Sequence, residues 1–502
     1  MSSRVVGFTS IMLVAALLAG MIFCAGCSGT KNTGRLAGFD EFVNEKMAEY
    51  EVPGAVVGIV ENDEVVYLKG FGVRELGKPE PVNPDTRFQI ASVSKFVTGT
   101  AIGTLIDEGK LDWDTPVINY LPGFALKDEY AGEHATIRDL LAHRTGLGAY
   151  EGDLLGRLGY SNSDMLYRLR FLTPVASFRE KYLYSNVGYF IAGEAAAEAD
   201  GRSWEELTEA RIIIPVGMTR SGATHDTMYL DENHVAGHDG SGENLRTIEL
   251  EESQFSAAGQ VVSTGRDMTH WIRMMLNKGS IDGKEILKQE TVEQIYAASL
   301  VAGPSGPLRD PNGAVGLGCD SYNFLGERII EKNGALDGVR SIVILIPDRN
   351  AGLVVIANKQ LTVFPEAVRD EFLERYVGSS GIDLQAREKK NQQGWYSLVK
   401  NPERPADAGP ATIGPETIAG TYMSELYGSM QIEQGEDSSN MAVEIGPIGY
   451  PATLTHWTDD TWYLSFPNPD DSPGFLTFIT GSNGQVSGFS SPEFGPFTRV
   501  SV

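Results

Sequence analysis

Ser92 and Lys95 stand three residues apart at the head of an apolar run, in the stretch FQIASVSKFVTGTAIGTLID at residues 88–107. Phe96, Val97, Ala101, Ile102, Leu105 and Ile106 recur at helical spacing, which predicts a helix with Ser92 at its start and Lys95 on the same face. A serine hydroxyl is a poor nucleophile until a base takes its proton. A lysine held in a dry pocket, near other cations, can be neutral enough to act as that base. Ser-x-x-Lys is therefore a compact nucleophile and base pair. The spacing alone is not specific, because Ser397 and Lys400 repeat it. That copy follows Gly394-Trp395-Tyr396 and runs into Asn401-Pro402, with no long apolar helix behind it. Taken alone, Ser92 and Lys95 would also suit a helix cap and a surface lysine.

Two further clusters supply what the pair needs. Tyr184-Ser185-Asn186 opens a helical run at residues 187–199. A phenol there can relay or take a proton where cations lower its pKa, and the amide can bind a substrate carbonyl or hold the lysine. Tyr160-Ser161-Asn162 repeats the tripeptide, but reads better as a loop followed by a Ser or Asn cap. Lys332-Asn333-Gly334 ends a predicted strand and is the only Lys-x-Gly of the chain. Its cation can hold an anionic group, its glycine can let a substrate approach the backbone, and the N–H of Ala335 can pair with that of Ser92 as an oxyanion hole.

The elements that must position these residues follow from pattern. Residues 36–50 read as an amphipathic helix and residues 55–68 as a hairpin turning at Glu61-Asn62-Asp63. The middle of the chain is helical, with caps at Thr136 and at Ser203, the latter followed by Glu206 in a capping box. Residues 315–357 are β-rich and residues 365–376 close as a helix. Strands flanking a helical middle imply an α+β domain at 36–378, with a mostly antiparallel sheet drawn from both its ends. Residues 379–414 read as a linker, polar and then rich in Pro, Ala and Gly, and residues 415–502 as a small antiparallel barrel or sandwich.

Ser92-Val93-Ser94-Lys95, Tyr184-Ser185-Asn186 and Lys332-Asn333-Gly334, in that order, resemble the serine β-lactamase and penicillin-binding-protein superfamily. The likeness is greatest to the class C β-lactamase, DD-peptidase and esterase branch. Residues 140–147 (LLAHRTGL) resemble that branch's Leu-Leu-x-His-x-Ser-Gly-Leu segment, and Ala257-Ala258-Gly259 to Asp267 its Ala-Gly…Ser-Thr…Asp stretch. The resemblance implies a β-lactamase/transpeptidase-like fold and an acyl-enzyme on Ser92. Proton transfer would be shared by Lys95 and Tyr184, substrate held by Asn186 and Lys332, and the oxyanion held by the amides of Ser92 and Ala335. Asn333 departs from the usual Thr or Ser, which can help hold a substrate carboxylate. Lys332, where esterases of the branch often have His, leans toward an amide or peptide. The last segment is similar to lipocalin-like domains appended to some of these proteins, which in a few peptidases cap the active site.

Composition bounds the rest. With 41 Lys and Arg against 67 Asp and Glu, the formal charge of −26 argues against binding nucleic acid or an anionic membrane surface. Arg4, the apolar run at residues 11–23 and Cys24-Ala25-Gly26-Cys27 resemble a lipoprotein signal over residues 1–27, with Cys27 lipidated, residues 28–35 as tether, and a location outside the cytoplasm, anchored by that lipid or, as the alternative, secreted. Membrane contact would then run through that lipid alone. Cys319 is left as a small strand residue. His234 and His238 sit four apart, but among glycines and without a His-Glu-x-x-His pattern, so no metal or other cofactor is expected. The expected activity is that of a metal-independent serine hydrolase on a D-amino-acid or wall-like peptide. An esterase or β-lactamase of the same fold is the alternative, and a catalytically weak, acyl-accepting or peptide-binding lipoprotein the alternative of another class. No feature of the chain fixes an oligomeric state.

Overall fold

A computed structural model describes residues 34–250, 252–253, 255–398, 402–435, 440–468, 471, 473–481 and 484–500. Cys24 and Cys27, with the signal and lipidation expected there, lie outside the described residues. The chain divides into two units, residues 1–45 and 46–502. Helix α1 (Phe39–Glu49) begins in the first and ends in the second. No described helix is long and apolar enough to cross a membrane.

Apolar runs build the sheet of the second unit. Strands β1 (Gly54–Glu61) and β2 (Glu64–Gly72) form the N-terminal hairpin, with Asn62 and Asp63 at φ 52° and 67°, as a tight hairpin turn requires. Strands β3 (Leu300–Val301), β4 (Ala314–Val315), β5 (Asp320–Phe324), β6 (Glu327–Leu336), β7 (Val339–Ile346) and β8 (Ala351–Ala357) follow the helical middle. The eight lie in the order β2-β1-β8-β7-β6-β5-β4-β3, every neighbouring pair antiparallel. The N-terminal hairpin joins through β1 and β8, with Ala55 opposite Ala357. Every residue of β7 and β8 is buried, as is β1 up to Val60, which is why β1, β8 and β7 beyond Ser341 read as apolar runs rather than alternating ones.

The middle contributes α2 (Ser94–Asp107), α3 (Ile137–Leu141), α4 (Leu154–Arg157), α5 (Asn162–Arg168), α6 (Asn186–Asp200) and α7 (Gly265–Leu276). The expected caps form: Thr136 and Asp139 cap α3 reciprocally, and Ser203 and Glu206 do the same for the helix Trp204–Thr208. α2 is buried from Ser94 through Leu105, on all sides rather than on one stripe. Three threonines survive there because their hydroxyls are satisfied or turned back on the helix. Thr98 donates to the Ala257 carbonyl (2.7 Å), Thr100 to Val97 (2.6 Å) and Thr104 to Ala101 (2.7 Å).

Helices α8 (Phe364–Tyr376) and α9 (Leu384–Leu398) follow the sheet. α9 corrects the linker reading of residues 379–414 over residues 384–398 alone. Its length is polar, so no apolar stripe marks it in the sequence, but charge and amide contacts fix it to α8. Arg387 donates to Asp370 (2.9 Å), Gln385 to the Ala367 carbonyl (3.0 Å) and Gln392 to the Leu361 carbonyl (2.6 Å). Beneath it lies a buried network in which Arg369 meets Asp370 (2.8 Å), Glu331 (3.2 Å) and Glu388 (3.6 Å). The second Ser-x-x-Lys ends in Val399 and Lys400, outside the described residues.

Strands β9 (Gly420–Ser424), β10 (Gly428–Gln434), β11 (Asn440–Ile445), β12 (Tyr450–Thr458), β13 (Thr461–Ser465), β14 (Gly474–Thr480), β15 (Val486–Ser491) and β16 (Gly495–Arg499) close into an eight-stranded up-and-down barrel. Buried and exposed residues alternate along β10, β11 and β14, and Met430, Val443, Leu454, Trp462, Phe478 and Phe489 are among the buried side chains. In an up-and-down barrel alternate turns share one end. The turns β9–β10, β11–β12, β13–β14 and β15–β16 therefore lie together, and this end meets the hydrolase-like domain. Tyr160 donates to the Tyr427 carbonyl (3.1 Å), Arg168 to that of Glu425 (2.7 Å), and Arg157 pairs with Asp471 (2.7 Å).

Removing one partner of a buried ion network costs far more than removing an exposed pair. Arg369→Ala is expected to destabilise the protein by about 3–5 kcal/mol. Arg266→Ala, whose pairing with Asp85 is half-exposed, is expected to cost about 0–1 kcal/mol. Urea unfolding of both variants measures the contrast.

Candidate active site

The site is assembled where the turn before α2 crosses β6. Phe88 and Gln89 pair with Val262 and Ser263, and Ala91 then takes φ 50°, a left-handed conformation that costs a residue with a Cβ about 1 kcal/mol or more. The neighbours hold it there. Ile90 donates its N–H to the Val261 carbonyl (3.0 Å), and Ser341 donates its hydroxyl to the Ile90 carbonyl (2.6 Å). Ser92 occupies a single 3-10 turn, Ala91–Val93, just ahead of α2 rather than in its first turn. Gly334 of β6 makes the crossing possible, since a Cβ on it would sit 2.6 Å from the Ile90 oxygen and 3.0 Å from the Ala91 Cβ. The glycine expected to admit a substrate admits the serine-bearing turn instead.

Lys95 is fully buried. Its Nζ lies 2.7 Å from Asn186 Oδ1, 2.9 Å from the Ala258 carbonyl oxygen and 3.2 Å from Ser92 Oγ. The segment at residues 257–259 is thus a wall that accepts the lysine. Burial, and then the cation of Lys332, hold the Lys95 pKa well below its ordinary value, while Asp153 pulls it up. Two pure acceptors and one hydroxyl thus surround Nζ, and a neutral amine there can give two N–H groups to the carbonyl oxygens and turn its lone pair to the Ser92 hydroxyl.

Tyr184 and Asn186 flank Ser185, which caps α6 by accepting from the Gly188 N–H (3.2 Å). The Tyr184 hydroxyl lies 2.7 Å from Ser92 Oγ. Its ring lies between Lys95 and Lys332, with Nζ to centroid distances of 4.8 and 5.3 Å. Burial pushes the phenol up to about 12, against Lys332 and the bond to Ser92. The two candidate proton carriers are thereby driven apart, the lysine toward the free amine and the tyrosine toward the phenol. His143, in the Leu-Leu-x-His segment, is buried at φ 56° and accepts the Ser185 N–H on Nδ1 (2.9 Å). Burial, then Lys332 and Lys95, keep it neutral, and its ring packs on Tyr184 at 4.8 Å.

Lys332 is buried on β6 and pairs with Asp320 of β5 (Nζ to Oδ2, 3.5 Å). Burial lowers its pKa, but Asp320 and then the neighbouring tyrosines outweigh that and raise it. Asn333 and Ala335 are exposed on the same strand, and with Ser92, Tyr184, Asn186 and Lys332 they border a cavity of about 990 Å³. Its outer wall comes from Trp395 of α9 and from Tyr427, Asp471, Glu493 and Phe494 in the barrel's turns. Asp153 also borders it and accepts from Asn186 Nδ2 at 2.6 Å. Sequence reasoning missed Asp153, because an acid before Leu154-Leu155 looks like an ordinary cap. It gave His143 no role, because its contacts are all with distant residues.

The decoys take structural places. Tyr160 anchors the barrel and Ser161 caps α5. His238 lies in a short strand rather than a loop, accepting the Leu76 N–H on Nε2 (2.9 Å) with Nδ1 2.7 Å from the Asn358 carbonyl oxygen. His234 Nδ1 lies 2.8 Å from the Asp231 carbonyl oxygen. Cys319 sits in the turn before β5, and burial raises its thiol pKa.

Comparison with known proteins follows this geometry. A family model described as Beta-lactamase matches residues 39–377. The unguisins hydrolase of Aspergillus campestris is 24% identical over 451 residues, covering 83% of this chain and 81% of its own. The octameric penicillin-binding protein homologue from Pyrococcus abyssi superposes with a TM-score of 0.60 at 22% identity, covering 93% of this chain and all of its own. A D-stereospecific amidohydrolase from a Streptomyces species gives a TM-score of 0.56 at 21% identity, over 68% and 98%.

Gly334→Ala would push the Ile90–Ala91 turn, and Ser92 with it, away from β6. Loss of active-site reactivity toward a fluorophosphonate by about tenfold or more is expected, with a melting temperature lowered by only a few degrees. Labelling rates and thermal melts on the same preparation check both halves.

Proposed function

The chain belongs to the beta-lactamase family, and from that footing we propose a serine hydrolase that works through an acyl-enzyme on Ser92, acting on amide bonds of D-amino-acid or wall-like peptides. One observation carries the proposal: a buried amine, lowered in basicity, lies 3.2 Å from a serine hydroxyl. Lys95 takes the Ser92 proton as Oγ attacks the carbonyl carbon. Tyr184, still a phenol and 2.7 Å from Oγ, donates to the leaving nitrogen, and the proton on Lys95 then restores the phenol. The amides of Ser92 and Ala335, on the facing walls that Gly334 brings together, receive the oxyanion. Water then releases the acyl group from Ser92. The pair supplies nucleophile and base from side chains alone, with no metal in any role.

Three considerations support an amide. The cavity of about 990 Å³ is walled by the sheet-and-helix part and by the barrel's turns, room enough for a peptide. One neighbour in fold is a D-stereospecific amidohydrolase, and one relative in sequence is named for hydrolysing unguisins. A second reading, an esterase for neutral acyl groups, is favoured by the Lys332–Asp320 pair. That pair and Asn333 leave the third motif without the free cation and hydroxyl that a substrate carboxylate would use, so penicillin recognition is disfavoured under either reading.

The protein and its Ser92→Ala variant, treated with a fluorophosphonate and with a fluorescent penicillin, test the proposal. Strong fluorophosphonate labelling that vanishes in the variant is expected, with weak penicillin labelling. Absence of Ser92-dependent labelling by both probes would refute it, and release of p-nitroaniline from D-alanine p-nitroanilide separates amidase from esterase.

Asp320→Asn releases Lys332 from its counter-charge. Its rate of penicillin acylation relative to hydrolysis of a neutral ester is expected to rise about tenfold, or about 1.4 kcal/mol of differential binding. An unchanged ratio would mean that Lys332 does not read carboxylates.

A further inference from the structure

We infer that Asp153 is a positioning residue for the lysine base: its carboxylate orients the Asn186 amide onto Lys95 and its charge sets the pH at which that lysine becomes a free amine. The inference rests on the reading of Lys95 as base.

The orientation argument is one of donors and acceptors. When ionised, the Asp153 carboxylate only accepts, and Asn186 presents its Nδ2 to Oδ2 at 2.6 Å. Asn186 Oδ1 is then turned toward Lys95 Nζ, at 2.7 Å. With the amide reversed, its N–H groups would face those of the lysine and the contact would be lost. Asp153 thus chooses between two amide orientations that are otherwise nearly equal in shape.

An ordinary structural duty for Asp153 is absent. The residue stands at the N-cap of α4 but makes no side-chain capping bond. Its Oδ1 is sealed from solvent and has no hydrogen-bond partner, an arrangement that costs stability and that a helix cap would not need. One turn on, Arg157 pairs with Asp471 of the barrel (2.7 Å) and approaches Asp337 after β6 (3.6 Å), so α4 is held between two other parts of the fold.

Lys332 of β6 faces Lys95 and, after burial, lowers its pKa, while Asp153 raises it. Tyr184 and Tyr189 place their rings 4.8 and 5.4 Å from Nζ, and His143, kept neutral, packs against both rings. On its other side Asp153 has Tyr150, Glu151 and Arg157 of its own segment and Tyr427 of the barrel. Burial pushes Asp153 itself up to about 7, against Asn186 and Lys95, so lysine and acid titrate as a pair. A negative charge at Asp153 favours the ammonium. Its removal lets the amine form at lower pH.

The test is the pH dependence of kcat/KM for p-nitrophenyl acetate, which does not titrate, in wild type, Asp153→Asn and Asp153→Glu. In Asp153→Asn the acid limb is expected to move down by about one pH unit, with a lower plateau because the amide is no longer fixed. Asp153→Glu is expected to keep the wild-type limb. A limb in Asp153→Asn that stays or moves up, or an equal displacement in Asp153→Glu, would overturn the role. Thermal melts establish folding, and if Asp153→Asn does not fold, Asp153→Ser carries the same expectation. Ser92 labelling in wild type keeps the two readings apart: labelling with an unmoved limb removes only the role of Asp153, and absent labelling removes the hydrolase reading beneath it.

Discussion

Sealing an amine away from water is the constraint on which the rest of this structure depends. An ammonium ion at the position of Lys95 would cost several kcal/mol of lost hydration, and among the described residues no carboxylate is in contact with it to offset that. The amine is accommodated because it can be neutral. The packing that buries α2 on every side and the environment that lowers the basicity of Lys95 are therefore the same feature. The wall at residues 257–259 shows this economy. Ala257 takes the hydroxyl of Thr98 and Ala258 takes the lysine, so one short segment both closes the core and fixes the base.

Opposite treatment of neighbouring groups completes the site. Lys332 is as buried as Lys95, but Asp320 across the β5–β6 ladder keeps it charged. One strand residue earlier, Glu331 points to the other face of the sheet and into the Arg369 network. β6 thus carries a cation toward the cleft and an anion toward α8, each with a partner on its own side. The charged lysine in turn helps keep both Lys95 and His143 neutral.

What could be read from the sequence, and what could not, follows the range of the interactions. The N-terminal hairpin, the caps at Thr136 and Ser203 and the buried strands at 339–357 rest on local pattern, and each formed as expected. Ser92, Lys95, Tyr184, Asn186 and Lys332 were legible because two short motifs and a strand end carry unusual chemistry in a fixed order. The structure brings Ser92, Tyr184, Asn186 and Lys332 to one cavity, with Lys95 buried behind Ser92. α9 was illegible because a polar helix held by ion pairs has no apolar stripe. Gly334 was misread because the group filling its space, the Ile90–Ala91 turn, comes from more than 240 residues earlier in the chain. Asp153 was invisible for a related reason: its meaning lies in which way it turns an amide on another helix.

The barrel meets the cleft with turns and keeps its strands to itself. Tyr427, Asp471, Glu493 and Phe494 all belong to connections at one end, while the interior side chains of the strands hold the barrel closed. Substitutions in those connections can reshape the outer wall of the cavity without disturbing either hydrophobic core or the Ser92–Lys95 pair. The protein is in this respect divided into a part that must stay constant for bond cleavage and a part free to drift. Descendants of such a chain could diverge in what they admit while retaining unchanged how they react.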